Sequence, residues 1–159
     1  MTRPVGRSPR FLPDTSCIIA AMCAWHERHE EAAREIERRL SLGERLVVAA
    51  PALIESYAVL TRLPAPHRLA AVDARYLLEA NCLKESLLVA LTADQYRSLI
   101  RRAPEDGVVG GQTYAAVVAA CARKARVAAL LTLNPRHFSQ HLVGDIRVVV
   151  PGQRVNWTT

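Results

Sequence analysis

Four side chains stand where predicted buried strands end, and their oxygen atoms are suited to binding a cation. Asp14 follows the first predicted strand, and Glu55 lies on the helix after the second. Thr132 and Asn134 end the fourth. Active sites in open parallel sheets form at the carboxyl ends of strands, so we expect these groups to converge in one pocket. Converging acidic groups would bind a hard cation, Mg²⁺ or Mn²⁺, which polarises a phosphodiester and activates a water for attack.

Each of these residues also has a purely structural interpretation, which the sequence leaves open. The segment Asp14-Thr15-Ser16 consists of three good helix N-caps,. Glu55 is compatible with a solvated helix position, although its neighbours are mostly apolar. Thr132 fits an ordinary strand, and Asn134 fits the start of an Asn-Pro turn,. If the site exists, the hydroxyls of Thr15 and Ser16 are expected to support it through a metal-bound water.

Short apolar runs alternate with helical patterns along the chain. The predicted strands are Phe11–Leu12, Leu46–Ala50, Leu87–Leu91, Val127–Leu133 and Ile146–Val150. The predicted helices are Cys17–Met22, His29–Leu42, a helix from Pro51, His67–Ala80, Thr92–Ile100 and Gly110–Arg126. We expect an α/β fold, a three-layer α/β/α sandwich with a central, mostly parallel sheet. A single domain is expected over residues 1–159, with a basic tail at 1–10 and a C-terminal tail at 152–159.

Helical periodicity predicts which side chains face the core. In the second predicted helix, Ile36 and Leu40 lie four residues apart and are expected on the buried face,. In the helix predicted at 67–80, Val72 and Tyr76 have the same spacing and the same expected orientation.

The composition favours a globular protein that binds nucleic acid. Half of the residues are hydrophobic and 23% are charged, which excludes a disordered chain,. The net charge of +6 and the pI near 9.6 favour a polyanionic partner,. Each basic group also fits a solvated helix face, so the sequence does not choose among them. These residues are Arg34, Arg38, Arg39, Arg97, Arg101, Arg102, Arg123, Lys124 and Arg126.

The cysteines and histidines form no recognisable metal or redox motif. None of the four cysteines makes a CxxC pair, and we expect reduced, packed thiols in a cytosolic protein,. His137 and His141 have helical spacing, but no acid or cysteine cluster accompanies them, so zinc is not favoured,. No apolar run approaches the roughly 20 residues that span a bilayer. Residues 1–10 lack the apolar segment of a signal peptide,.

Four sequence blocks, taken in order, resemble the PIN-domain family. Asp14-Thr15-Ser16 resembles its opening motif, and Pro51–Pro64 resembles the block that contains a glutamate. Gly110–Ala120 resembles the third block, and Leu130–Phe138 resembles the fourth. Together the blocks span residues 11–138, most of the chain. Within this family, the chain is similar to the toxin ribonucleases of VapBC-type toxin–antitoxin modules.

The third block departs from the family pattern at Ala115. The residue after Tyr114 is usually an aspartate that binds the metal. By this resemblance, the intact site would use Asp14, Glu55 and an acid at position 115, with the amide oxygen of Asn134 as a fourth group. Only two carboxylates remain, so we expect metal affinity and turnover to fall by orders of magnitude. The close match of the flanking residues favours a deliberate change of an active-site aspartate over natural degeneration.

The resemblance implies a metal-dependent endoribonuclease toxin that hydrolyses RNA with Mg²⁺ or Mn²⁺. Asp14 and Glu55 would hold the ion, with Thr132 and Asn134 in support. The alternative, favoured by Ala115, is a non-catalytic PIN scaffold that binds RNA or protein. A phosphatase is not favoured, because neither a Gly-rich phosphate loop nor a DxD start is present. The resemblance also implies a cognate antitoxin, a homodimer and a cytoplasmic location.

Overall fold

Five short parallel strands form the centre of the protein. The computed structural model describes residues 7–153. The strands are β1 Arg10–Pro13, β2 Arg45–Ala49, β3 Leu87–Val89, β4 Ala129–Leu131 and β5 Arg147–Val149. Their order across the sheet is β3-β2-β1-β4-β5, and every neighbouring pair is parallel. The central strands β1 and β4 are buried almost throughout, as expected for strands covered on both faces,.

Helices connect and cover these strands, so the predicted α/β sandwich around a parallel sheet is confirmed. Within residues 7–153, no helix is long and apolar enough to cross a membrane. The predicted N-terminal tail lies largely outside the described residues, although its last residue, Arg10, begins β1. Most of the predicted C-terminal tail lies outside them as well. The α-helices are α1 Thr15–Met22, α2 His29–Ser41, α3 Ala50–Arg62, α4 Ala71–Leu78, α5 Ala93–Arg102, α6 Gln112–Ala125 and α7 Gln140–Val143.

Helix α6 packs closely on the sheet because its buried side chains are small. Alanines alternate with Val118 and Cys121 along its buried face, and the helix contacts β2 and β3.

Burial raises the pKa of the thiol of Cys121, and it raises that of Cys82 to about 11. All four cysteines are free and buried, in agreement with the predicted packed thiols.

The region from residue 67 to residue 83 differs from the prediction. Residues 67–70 are not helical, and α4 begins only at Ala71, because the amide of Leu69 donates to the carbonyl of Leu60 instead. Of the predicted apolar stripe Leu69, Val72, Tyr76 and Leu77, the first and last pack against the core. Val72 and Tyr76 are 51% and 58% exposed, so the prediction is wrong for these two residues. The buried positions are Ala74 and Leu78. The packing of α4 against α3 determines which residues of α4 are buried. Periodicity in the sequence did not predict that α3 would be the neighbouring helix,.

Helix α2 also presents a different face from the one predicted. Leu40 is 46% exposed, whereas the adjacent Arg39 is only 3% exposed. The Arg39 guanidinium donates from Nε to Glu35 at 2.7 Å and from Nη1 to Glu44 at 2.8 Å. Its central carbon also lies 5.7 Å from the centre of the Phe11 ring. A buried cation needs such partners, and here two carboxylates and an aromatic face supply them.

The ion pair around Glu35 makes the stability of the fold depend on pH. Burial alone would raise the pKa of Glu35, but the hydrogen bonds and charges of Arg38 and Arg39 together lower it below its ordinary 4.5. A carboxyl with a lowered pKa stabilises the fold above its unfolded pKa and loses that contribution as the pH falls through the folded value. We therefore expect Glu35→Gln to be less stable than the parent chain at pH 7. Urea unfolding should show this difference shrinking as the pH falls below 4.5, and a constant difference would contradict the prediction.

Candidate active-site cleft

The carboxyl ends of β1 and β4 open into a cleft that residues of α1, α3 and α6 also line. Its volume is about 650 Å³. The lining includes the four positions that the sequence predicts for a metal site. These are Asp14, Glu55, Ala115 and Asn134. Residues that are up to 120 positions apart in the chain therefore meet at one edge of the sheet, where the sequence placed the pocket.

Asp14 both caps a helix and borders the cleft, so the two interpretations of this residue are compatible. Its Oδ1 accepts from the Cys17 amide at 3.0 Å, as an N-cap of α1, and from the Ser16 hydroxyl at 2.6 Å. Its Oδ2 accepts from the Thr132 hydroxyl at 2.5 Å. Burial raises the pKa of Asp14, while these hydrogen bonds act in the opposite direction.

Thr132 and Ser16 connect the ends of β1 and β4. The fully buried Thr132 hydroxyl donates to Asp14 and accepts from the Asn134 amide at 2.9 Å. The Ser16 hydroxyl accepts in turn from the Leu133 amide at 3.0 Å. Thr132 does not line the cleft itself and contacts it through Asp14 and the Asn134 amide, so its place in the structure is that of a positioning residue.

Glu55 points into the cleft from the second turn of α3. Its Oε2 accepts from the Thr15 hydroxyl at 2.9 Å. Two adjacent hydroxyls at the start of α1 therefore hold the two carboxylates, Thr15 holding Glu55 and Ser16 holding Asp14. This arrangement brings both acids to one wall of the cleft, and each side chain is held in place by its neighbour.

Ala115 occupies the wall formed by α6. It is 7% exposed, and its methyl group lines the cleft between Gly111 and Val118. A longer side chain at this position would therefore project toward the carboxylates. Asn134 lies at the exposed end of the cleft, where it precedes a short 3-10 turn at Pro135–His137.

The donor set fits a weakly held hard cation better than a tightly bound metal. Within residues 7–153, no group of three or more His, Cys, Asp and Glu side chains is placed to hold a metal. The residues predicted for the site offer the carboxylates of Asp14 and Glu55 and the amide oxygen of Asn134, and Mg²⁺ commonly takes one or two carboxylates with waters and phosphate oxygens. The zinc interpretation gains no support from the structure, since His141 pairs with Asp106 at 2.7 Å outside the cleft.

The cleft includes several residues that sequence reasoning did not select. Glu27 and Arg28, from the loop between α1 and α2, line it, as does Tyr114 beside Ala115. In the sequence, these three residues were distinguished only by their position near a helix or strand predicted to form the site. By contrast, the nine basic residues named as candidate phosphate contacts all lie outside the cleft lining. Among them, Arg102, Arg123 and Lys124 line a second cavity between α5 and α6.

The buried bond from Thr132 to Asp14 should contribute measurably to stability. Thr132→Val removes this donor and leaves a buried carboxylate oxygen without a partner, so we expect a loss of about 1–3 kcal/mol in the free energy of unfolding. Thr15→Val is the matched control, since it removes a less buried bond to Glu55 and should cost about 1 kcal/mol or less,. Urea unfolding measures both, and equal losses would contradict this account.

Comparison with known proteins identifies a family that the chain matches. The profile of the PIN domain matches residues 11–141. The chain is 44% identical to Ribonuclease VapC40 of Mycobacterium tuberculosis over 125 residues, which is 78% of this chain and 86% of that protein. It is 32% identical to Ribonuclease VapC27 of the same organism over 142 residues, or 89% of this chain and 97% of that protein.

A solved structure of low sequence identity has the same fold. VapBC2 from Rickettsia felis, bound to a DNA fragment from its promoter, is 13% identical with a TM-score of 0.62, over 89% of this chain and 98% of that one. The match over residues 11–141 and the two relatives at 44% and 32% identity show that the chain belongs to the PIN domain family, in the group of VapC ribonucleases.

Proposed function

We propose that this chain is a metal-dependent endoribonuclease of the toxin type, with turnover strongly reduced by Ala115. The observation that supports this most directly is the convergence of Asp14, Glu55, Ala115 and Asn134 on one cleft. The VapC relatives are named ribonucleases. An aspartate at the third of these four positions is what the resemblance of the sequence blocks implies.

Asp14 and Glu55 would hold a Mg²⁺ or Mn²⁺ ion, with the Asn134 amide oxygen as a further ligand. When bound, such an ion polarises the scissile phosphate and makes a water nucleophilic at neutral pH. The chain's own contribution is positioning. Thr132 and Ser16 orient the Asp14 carboxylate, and Thr15 orients Glu55.

The reduced activity follows from the charge of the site. Each carboxylate beside a divalent ion contributes a full negative charge, and the substitution of Asp by Ala removes one of three. Burial already raises the pKa of Asp14, which disfavours its charged form when no cation is near,. The remaining pair is therefore poorly suited to hold the ion without help from the phosphate of the substrate.

A non-catalytic scaffold that binds RNA or protein is the second candidate. Two observations favour it. Ala115 removes a ligand, and both oxygens of Asp14 already accept hydrogen bonds within the protein. Residual metal-dependent cleavage distinguishes the two functions.

The proposed partners are an antitoxin protein and a second copy of this chain. The support is the VapC family itself, together with the likeness to VapBC2, whose name joins a toxin to its antitoxin. Exposed apolar side chains on α3 and α4 offer surface for such contacts, among them Ile54, Tyr57 and Tyr76. Leu60, on the same helix as Ile54 and Tyr57, is fully buried and belongs to the core.

The proposed activity is tested by removing one of the two remaining carboxylates. In Mg²⁺ or Mn²⁺, the parent chain should cleave mixed RNA slowly, and both chelation by EDTA and Glu55→Gln should abolish the cleavage. Glu105→Gln is the matched control, an exposed glutamate outside the cleft, and should leave the rate unchanged. Cleavage that persists in EDTA and in Glu55→Gln would overturn the proposal, because it would not depend on this cleft.

A further inference from the structure

The charge of the cleft does not favour a polyanion, although the whole chain has a net charge of +6. Three acids line it, Asp14, Glu27 and Glu55, against the single arginine Arg28. Arg28 is also engaged elsewhere, since it pairs with Glu31 and donates to the Pro151 carbonyl at 2.8 Å. If RNA binds here, the basic side chains of the cleft supply little of the affinity for RNA. Other contacts must therefore hold the RNA strand.

Two large aromatic side chains are exposed at the elements that form the cleft. Tyr114, at the start of α6, lines it directly and is 68% exposed. Trp25, in the loop between α1 and α2, is 45% exposed, and its ring lies 5.8 Å from that of His26, which lines the cleft. Exposing rings of this size leaves apolar surface in water that a ligand would cover.

The indole of Trp25 is held in a defined orientation. It stacks on the ring of His67, with 4.1 Å between centroids and 24° between planes. His67 belongs to the segment before α4, which the Leu69–Leu60 bond attaches to α3. Because His67 already holds the indole in place, a base that stacks on Trp25 would cost this side chain little further conformational freedom.

We propose that Trp25 and Tyr114 are base-stacking residues for unpaired nucleotides of the RNA, with Tyr114 in the cleft lining and Trp25 beside the lining residue His26. This inference rests on the proposed function and assigns to it the two residues that would hold the bases of the substrate. Stacking on aromatic rings accepts any base, because every base has a π-face. A base within a duplex is already stacked and cannot reach these rings.

Tryptophan fluorescence tests the stacking directly. The chain contains two tryptophans, and Trp157 lies outside the described residues. Trp157→Phe therefore leaves Trp25 as the sole tryptophan reporter. Because Ala115 slows cleavage, binding to this chain is measurable without loss of the RNA. An unpaired mixed-sequence octaribonucleotide should quench the Trp25 emission on titration, and a blunt RNA duplex of the same length should not.

Substitutions assign the effect to the two rings. Trp25→Ala and Tyr114→Ala should each weaken binding of the unpaired RNA about 5- to 100-fold, the range expected for one stacked base. Trp25→Phe and Tyr114→Phe keep a ring and should bind nearly as tightly as the parent. Tyr96→Ala is the matched control, an exposed aromatic on α5 outside the cleft lining, and should not change the affinity.

Two results would overturn the inference, and they have different consequences for the proposed function. If unpaired RNA binds without quenching Trp25, or if both alanine variants bind as tightly as the parent, stacking is wrong while the ribonuclease proposal stands. If no form of the chain binds RNA and the chain with aspartate restored at position 115 cleaves none, the proposed function fails and the stacking inference fails with it.

Discussion

Ala115→Asp should convert this chain into an efficient metal-dependent ribonuclease. The residue lines the cleft from α6, together with Asp14 and Glu55, so a carboxylate there would add a further acid to the proposed metal site. Loss of even an outer partner of a metal ligand costs about 10–100-fold in affinity or activity, and a charged ligand should matter at least as much. We expect the rate of RNA cleavage in Mg²⁺ or Mn²⁺ to rise by at least about 100-fold.

Two control variants separate a restored ligand from a general effect of charge. Ala115→Asn has the same shape without the charge and should restore little activity. Gln112→Asp adds the same charge one turn earlier on α6, outside the cleft lining, and should leave cleavage unchanged. Cleavage of a mixed RNA, with isothermal titration of Mn²⁺ into each variant, provides the measurement. No gain in either assay for Ala115→Asp would remove the support for the nuclease proposal.

Arg39→Ala should destabilise the fold more than any other single change of a charged residue considered above. It would leave Glu35 and Glu44 without their shared buried cation and would remove the contact with Phe11. Removal of one partner from a buried ion pair costs about 3–5 kcal/mol, because the remaining charge stays desolvated. We expect a loss of that size in the free energy of unfolding.

The neighbouring Arg38 provides a closely matched control. It lies on the same helix and bonds the same Glu35 carboxylate, but half of its side chain is exposed. A solvent-exposed ion pair contributes about 0–1 kcal/mol, so Arg38→Ala should cost little. Urea unfolding at neutral pH measures both. Similar losses for the two variants would show that burial of Arg39 does not set the strength of its interactions.

Much of the fold was predictable from local sequence. Continuous apolar runs such as Leu46–Ala50 predicted β2 and the other parallel strands, since a strand covered on both faces lacks polar alternation,. Gly43 lies just beyond the end of α2, where its φ of 79° is a conformation that glycine adopts without strain,. The order of the four motif blocks then identified the cleft positions. Their convergence follows from parallel topology, which places every strand's carboxyl end at one edge.

The faces of α2 and α4 were not predictable in the same way. Periodicity places Leu40 and Tyr76 in the core, but both are exposed, while Arg39 and Ala74 are buried. Which face of a helix is buried depends on the elements that it packs against, and the periodicity of the helix does not reveal those elements. Arg39 meets Phe11 and Glu44, and Ala74 lies on a helix packed against α3.

The sequence by itself determined the family, the strands and the identities of the groups that meet in the cleft, because these depend on residue types and their order along the chain. Only the tertiary structure decided how the groups interact. It paired Thr15 with Glu55 and Thr132 with Asp14, and it placed the indole of Trp25 on His67. Such contacts join segments separated by 40 to 118 positions, and chain folding alone brings them within bonding distance.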